Sequence, residues 1–168
     1  MVTDAGIEAI SRKLTGLRRI YICGNRSCSD RSLIALSSNC ILLNEIACSS
    51  CDITRRGIER ALCHSSSLTS LKAGFCRSSR NSAFNFDDLV IHATGLRELD
   101  IVGDDDSERL LCSIAKAGIQ LEKLKLFYLS SFFIRRVTTL LRACPTLKHF
   151  EVDCALIWIS DNAMKDLC

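Results

Sequence analysis

Four residues in the first half of the chain have the types and the spacing of a metal or redox site. Cys48 and Cys51 form a Cys-x-x-Cys pair, and Cys63-His64 follows. Thiolate and imidazole groups are ligands that zinc prefers, and closely spaced thiols also take part in disulfide exchange. Small buried cysteines are nevertheless common in protein cores. Because the repeat described below gives each of these thiols a structural position, we favour the structural role and predict no metal and no cofactor.

The three histidines do not lie in a catalytic motif. His64 and His92 fall near predicted helix ends, where a histidine can interact with the last carbonyls, and His149 would point outward from the last predicted strand. The sequence also lacks the nucleophile-elbow, zinc-protease and phosphate-loop patterns. We therefore predict that the chain is not an enzyme and has no catalytic residues.

Two polar stretches leave alternatives open. The run Asp104-Asp105-Asp106 could hold a cation or a basic peptide, but a solvated turn ahead of a helix start explains it more simply. The segment 74–87 is the least regular part of the chain and contains the polar run 77–82. It predicts a longer loop, which could carry function or could be a tolerated insertion.

The elements that position these residues come from a short apolar phrase that occurs six times. Each copy reads Leu-x-x-apolar-x, followed by an apolar residue or Cys, and successive copies lie 25 to 28 residues apart. A phrase that returns roughly every 20–29 residues is typical of a leucine-rich-repeat solenoid. The copies begin at Leu17, Leu43, Leu68, Leu96, Leu121 and Leu147.

Apolar residues alternate within each phrase, as a half-buried strand requires. In the first copy this alternation places Ile20 and Ile22 in the core and turns Arg19 and Tyr21 outward. Stacked repeats would bring these strands together in one parallel sheet with helices on its other side. The prediction is an α/β fold, a short horseshoe arc with about six parallel strands on the concave face and helices on the convex face.

The residues after each strand fit a turn and then a helix. Cys51 stands eight places after its first leucine, where leucine-rich repeats usually place Asn or Cys, and a small donor there can satisfy backbone carbonyls buried by the turn. Ser29, Thr54 and Ser107 then precede apolar residues at helical spacing, which predicts helix N-caps. Cys144 lies three places before a first leucine, where the preceding helix ends.

These cysteine-containing units resemble the leucine-rich repeats of F-box/LRR proteins, especially those of plants. The segments that carry the resemblance are 2–7, Cys51-Asp52-Ile53-Thr54, Cys144-Pro145-Thr146-Leu147 and Ile159-Ser160-Asp161. The resemblance implies the substrate-recognition region of an SCF-type E3 ubiquitin ligase. It implies a Skp-type adaptor only through an F-box, for which this chain has no room. Because the chain begins and ends inside a repeat, we expect residues 1–168 to be a single repeat domain taken from a longer array.

Composition limits the remaining function classes. The 168 residues carry a net charge of +3, which is too small to indicate a nucleic-acid partner, and the arginine pairs do not form one stripe. No apolar run reaches the length of a membrane span, and the N-terminus does not read as a signal peptide. The 11 cysteines include many at equivalent repeat positions, so we expect reduced thiols and a cytoplasmic or nuclear location.

Outward strand positions supply the candidate binding surface. Their charge changes sign from strand to strand, and such a pattern favours a specific partner of matching charge. Tyr21 and Phe127 are the predicted apolar anchors, since aromatic residues dominate interface energies. A partner that docks on loops or on an edge remains the alternative. The predicted partner-binding residues are Arg19, Tyr21, Glu45, Lys72, Glu98, Asp100, Lys123, Lys125, Phe127, His149 and Glu151.

The sequence thus predicts a protein-protein interaction module that binds a protein target on its concave face, with no nucleic acid and no membrane partner. Ubiquitin-ligase substrate recognition follows from the family resemblance. A stand-alone repeat scaffold or inhibitor without a ubiquitin role is the alternative function.

Overall fold

Six strands recur along the chain at the predicted period, and the described residues also contain four helices. A computed structural model describes residues 2–73, 92–102, 105–127, 141 and 144–153. The helices are α1 (Asp4–Lys13), α2 (Asp30–Asn39), α3 (Arg55–His64) and α4 (Asp105–Lys116). The strands are β1 (Arg19–Tyr21), β2 (Glu45–Ala47), β3 (Ser70–Lys72), β4 (Glu98–Val102), β5 (Lys123–Phe127) and β6 (His149–Asp153).

The strands form one parallel sheet in which β1 to β6 follow one another in sequence order. Each strand pairs with the next so that equivalent positions of the repeated phrase stand side by side. The prediction of a leucine-rich-repeat arc with six parallel strands is confirmed. One row across the sheet consists of the inward residues Ile20, Ile46, Leu71, Leu99, Leu124 and Phe150.

A continuous hydrophobic core lies between the sheet and the helices. The leading leucines Leu43, Leu96 and Leu121 are completely buried. The helices add buried residues at helical spacing, such as Leu33 and Leu36 in α2, so the amphipathic faces expected from the sequence are the faces that pack. Because strands and helices share this core, the outward strand residues all lie on the opposite face of the sheet, which we call the concave face.

Helix starts follow the predicted caps in the first repeats and differ in the fourth. Thr3, Ser29 and Thr54 occupy the N-cap positions of α1, α2 and α3. Helix α4 begins at Asp105 rather than after Ser107. Carboxylates are stabilised near the positive N-terminal end of a helix, so part of the acidic run belongs to the first helical turn instead of a solvated turn ahead of it.

Several thiols bond from one repeat to the backbone of the preceding repeat. Cys51 Sγ donates to the carbonyl oxygen of Ile22 at 2.8 Å, and Cys40 Sγ lies 3.4 Å from the carbonyl oxygen of Leu14. Cys51 therefore satisfies a carbonyl that the turn would otherwise bury unpaired, as its position in the repeat predicts. None of the eight cysteines within the described ranges forms a disulfide.

Two expectations concern segments outside this account. The irregular stretch 74–87 and the segment Ile159-Ser160-Asp161 lie outside the described residues. Within the described ranges, none of the helices has both the length and the apolar character needed to span a membrane.

Candidate functional site

The four residues that could have held zinc have separate structural positions. Cys48 is fully buried at the end of β2, and the thiol of Cys51 is bonded to a backbone carbonyl. His64 ends α3, where its Nδ1 lies 2.8 Å from the carbonyl oxygen of Arg60. Among the residues that the structure describes, no three His, Cys, Asp or Glu side chains are placed to hold one metal ion.

The concave face brings the predicted binding residues together in rows. The register of the six strands aligns the first outward positions of neighbouring strands, and likewise the second. The first row contains Arg19, Glu45, Ser70, Glu98, Lys123 and His149. The second row contains Tyr21, Ala47, Lys72, Asp100, Lys125 and Glu151. Phe127 lies two residues beyond Lys125 on the same face of β5. All eleven predicted residues therefore belong to one surface.

A charged cluster centred on Glu45 joins the first three strands. Lys72 Nζ lies 2.6 Å from one carboxylate oxygen of Glu45, and Arg19 Nε lies 3.7 Å from the other. The hydrogen bond from Lys72 is the main cause that holds the pKa of Glu45 below its ordinary value, and burial opposes it. This carboxylate is therefore ionised and holds the basic groups of β1 and β3 together.

Tyr21 projects from this cluster into solvent. Its side chain is among the most exposed apolar groups of the described protein, with 61% of its surface accessible. A hydrogen bond to Glu45 raises the pKa of the Tyr21 hydroxyl, because removing the proton would place a second negative charge beside the carboxylate. The ring is thus held at the β1 side of the face with its surface free for contact.

A second cluster lies at the other side of the face, on β5 and β6. Lys125 Nζ is 2.6 Å from a carboxylate oxygen of Glu151 and 4.9 Å from the ring centroid of Phe127. An ammonium group at this distance from an aromatic ring is attracted by the ring quadrupole. The lysine therefore links an acidic group to an aromatic one.

The middle of the face is acidic and largely shielded from water. Asp100 is only 8% exposed, and its Oδ1 has no hydrogen-bond partner among the described residues. Burial raises the pKa of Asp100, against the attraction of Lys123, Lys72 and Lys125. Glu98, two residues earlier, accepts a hydrogen bond of 3.1 Å from the Ser70 hydroxyl.

The burial of Asp100 differs from the expectation of a solvent-facing residue. Strand alternation correctly assigns it to the concave face, but neighbouring strands of a sheet lie only about 4.8 Å apart. The lysine side chains of β3 and β5 flank it in the same row. Ser70, which donates to Glu98, was absent from the predicted set although its outward position marked it as part of the face.

The two aromatic residues mark the extent of this surface. Tyr21 lies on β1 and Phe127 on β5, four strands apart in the sheet. At the usual strand spacing their backbones are separated by about 19 Å. A single partner that contacts both aromatic rings must therefore extend across most of the sheet, and the charged clusters lie along its path.

Comparison with known proteins identifies the fold only. No protein-family model and no curated protein sequence matches the chain. The structure is similar to that of a tropomodulin C-terminal domain from Caenorhabditis elegans, with a TM-score of 0.56 and 13% sequence identity. The match covers 86% of this chain and 94% of that one. This similarity supports the leucine-rich-repeat type of arc.

Proposed function

We propose that the chain is a protein-interaction module whose concave face binds its partner, and that it does no chemistry of its own. The observation that carries the proposal is the arrangement of this face. Two ion-paired clusters flank the acidic residues Glu98 and Asp100, and an aromatic residue stands in each outer cluster. Alternating charges select a partner of complementary pattern, while Tyr21 and Phe127 provide contact area.

The finer proposal is that this module recognises the target of an SCF-type ubiquitin ligase. Its support is the likeness of the cysteine-containing units to F-box/LRR repeats, together with the turn position of Cys51 and the burial of Cys144. Such a role would involve a Skp-type adaptor bound elsewhere in the parent protein, and a cytoplasmic or nuclear location. A stand-alone scaffold or inhibitor is the alternative.

Quantitative affinity capture tests the interaction surface. The purified chain is compared with a Tyr21→Ala/Phe127→Ala variant as bait in one cell extract. An Ile34→Ala/Ile41→Ala variant is the matched control, because it truncates two exposed apolar residues of α2 and its following turn, away from the sheet. We expect partners that are lost with the first variant and retained with the second. Partners retained by the Tyr21/Phe127 variant would overturn the concave-face proposal.

A separate experiment distinguishes the ubiquitin role from the scaffold role. The full gene product is expressed with a Skp-type adaptor, and their co-purification is measured. Stable association supports the ligase proposal. An adaptor that elutes separately, while partners of the concave face still bind, supports the scaffold.

A further inference from the structure

Strand β4, one of the two middle strands of the sheet, carries two acidic side chains on the concave face. Glu98 and Asp100 are two residues apart on β4 and therefore point to the same side. The rise of a strand places their backbone positions about 7 Å apart. We call this pair the acidic centre. An acidic pair alone does not define a site, so its surroundings decide what it can bind.

The lysines beside the acidic centre form their ion pairs with other carboxylates. Lys72 on β3 contacts Glu45, and Lys125 on β5 contacts Glu151, each at 2.6 Å. Both lysines attract Asp100 electrostatically, but neither supplies a hydrogen bond to its Oδ1. Two of the three lysines that attract Asp100 are thus paired with carboxylates of other strands, and the two carboxylates of β4 outnumber the remaining one, Lys123.

The burial of Asp100 is a second observation, independent of the net charge of β4. More than nine-tenths of the residue is shielded, and Oδ1 has lost its solvent without gaining a donor among the described residues. Buried polar atoms in native proteins almost always have a hydrogen-bond partner, and the exceptions often have a functional reason. A buried oxygen without a donor favours the binding of a ligand that donates a hydrogen bond to it.

We propose that Asp100 receives a basic side chain of the bound protein, an arginine in particular, as the central anchor of the complex. This inference rests on the proposed function of the concave face. A guanidinium group presents several N–H donors in a planar fork that fits a carboxylate, and it loses its hydration more readily than an ammonium group. A neutral donor would satisfy Oδ1 but would leave the negative charge of β4 unbalanced.

Glu98 strengthens the preference for a cation. It lies two residues from Asp100 on the same face of β4, and the hydrogen bond described for its carboxylate comes from the neutral Ser70 hydroxyl. Lys123 is beside Glu98 in the sheet and supplies an opposing positive charge. The partner thus adds one positive charge between the Arg19–Glu45–Lys72 cluster and the Lys125–Glu151 pair.

Panning of a random dodecapeptide library on the immobilised full chain tests the inference. Enriched peptides are synthesised with each arginine replaced in turn by citrulline, which keeps the shape of the side chain and removes its charge. Affinities are measured for the wild-type chain, for Asp100→Asn, and for Glu8→Gln as the control. Glu8 is an acidic residue of α1, on the helical side of the arc, where it pairs with Arg31.

We expect enrichment of peptides with a basic residue at one fixed position. Citrulline at that position, or Asn at position 100, should each weaken binding by about tenfold or more, because a charged pair in a shielded site loses one partner. Glu8→Gln should bind like the wild type. The citrulline peptide tests the idea on the folded wild-type chain, whatever Asp100→Asn does to folding.

Three results would overturn the proposal in distinguishable ways. Equal binding of the citrulline peptide, or of Asp100→Asn, contradicts the arginine anchor alone if Tyr21→Ala still abolishes binding. Enriched peptides that lack a basic residue at a fixed position would likewise contradict the arginine anchor but not the proposed function. A library that yields no peptide sensitive to any concave-face variant contradicts both the anchor and the proposed function.

Discussion

The carboxylate of Asp30 accepts two hydrogen bonds from Thr54 in the next repeat, one from the backbone N–H at 2.7 Å and one from the hydroxyl at 2.6 Å. Asp4 has the same relationship with Ser29, at 2.8 and 2.7 Å. The first residue of one helix therefore holds the N-cap residue of the next. In the third repeat Arg55 stands at the equivalent position.

Thr54 should stabilise the fold mainly through Asp30. Its side chain makes no capping hydrogen bond to its own helix, and its hydroxyl is donated to the carboxylate. We expect Thr54→Ala to destabilise the protein by about 1–2 kcal/mol. In an Asp30→Ala background the same change should cost about 1 kcal/mol less, since the shared bond is already absent. Urea unfolding of the two single variants and the double variant measures this coupling, and additive effects would contradict it.

Asp4 should make stability depend on pH in the acid range. Burial opposes its ionisation, but hydrogen bonds from Ser29 and Ser32 outweigh that effect and keep the pKa below the ordinary 3.8. A lowered pKa in the folded state stabilises the protein above the ordinary value, and this contribution is lost as the pH falls through the folded value. Asp4→Asn should therefore flatten the decrease of the urea midpoint between about pH 5 and pH 2. An unchanged slope would show that Asp4 does not contribute to acid unfolding.

Gly57 should be needed because Asp30 packs against it. A Cβ at this position would lie 2.8 Å from Cγ and 3.1 Å from Cα of Asp30, which is closer than side chains normally approach. We expect Gly57→Ala to displace this carboxylate and to destabilise the protein by about 1–3 kcal/mol. Gly16→Ala is the matched control, because open space surrounds that position. Equal thermal midpoints for the two variants would contradict this packing.

The sequence predicts well those features of the fold that depend on a single regular spacing, either the repeat period or the alternation within a strand. The spacing of the leading leucines predicts the strand order, and the alternation of Ile20 with Tyr21 predicts which face each residue occupies. The N-cap positions of Ser29 and Thr54 also follow from local composition, because short polar residues are favoured directly before an apolar helix.

Features that depend on how side chains lean toward their neighbours could not be predicted in the same way. Alternation assigns Asp100 and Lys72 to one face of the sheet. It does not show that Lys72 pairs with Glu45, or that Asp100 is buried with its Oδ1 unpartnered among the described residues. Likewise, the Asp30–Thr54 contact joins residues 24 positions apart, and it exists only because the two helices pack in register. The sequence contains these residues without indicating their pairing.

Glu45 should control the ionisation of Tyr21. The hydrogen bond to Glu45 is the main cause that raises the pKa of this hydroxyl above 10.0, so removing the charge should lower the pKa again. We expect the phenolate absorbance of Glu45→Gln to appear at lower pH than in the wild type. Subtracting the titration of Tyr21→Phe removes the contribution of the other tyrosine. A Tyr21 titration that is identical in Glu45→Gln would contradict the contact.

Asp100 should reduce the stability of the free protein. Burial raises the pKa of its carboxyl group despite the three nearby lysines, so the ionised form is less favourable in the folded than in the unfolded chain. The ionised carboxylate therefore opposes folding above its ordinary pKa, and this penalty disappears at lower pH, where both states are protonated. We expect Asp100→Asn to raise the thermal midpoint at neutral pH and to have little effect near pH 3, a value about one unit below that ordinary pKa.

Thermal unfolding of Asp100→Asn and of Glu8→Gln at both pH values checks this expectation. A residue that lowers stability at the centre of a surface and is nevertheless needed for basic peptides to bind has the trade-off expected of a binding group. A gain of stability at neutral pH together with weaker peptide binding would separate Asp100 from residues that merely hold the sheet together. A lower midpoint for Asp100→Asn at neutral pH would mean that attraction to the lysines outweighs the burial of the carboxylate, and Asp100 would then be a structural member of the charged rows.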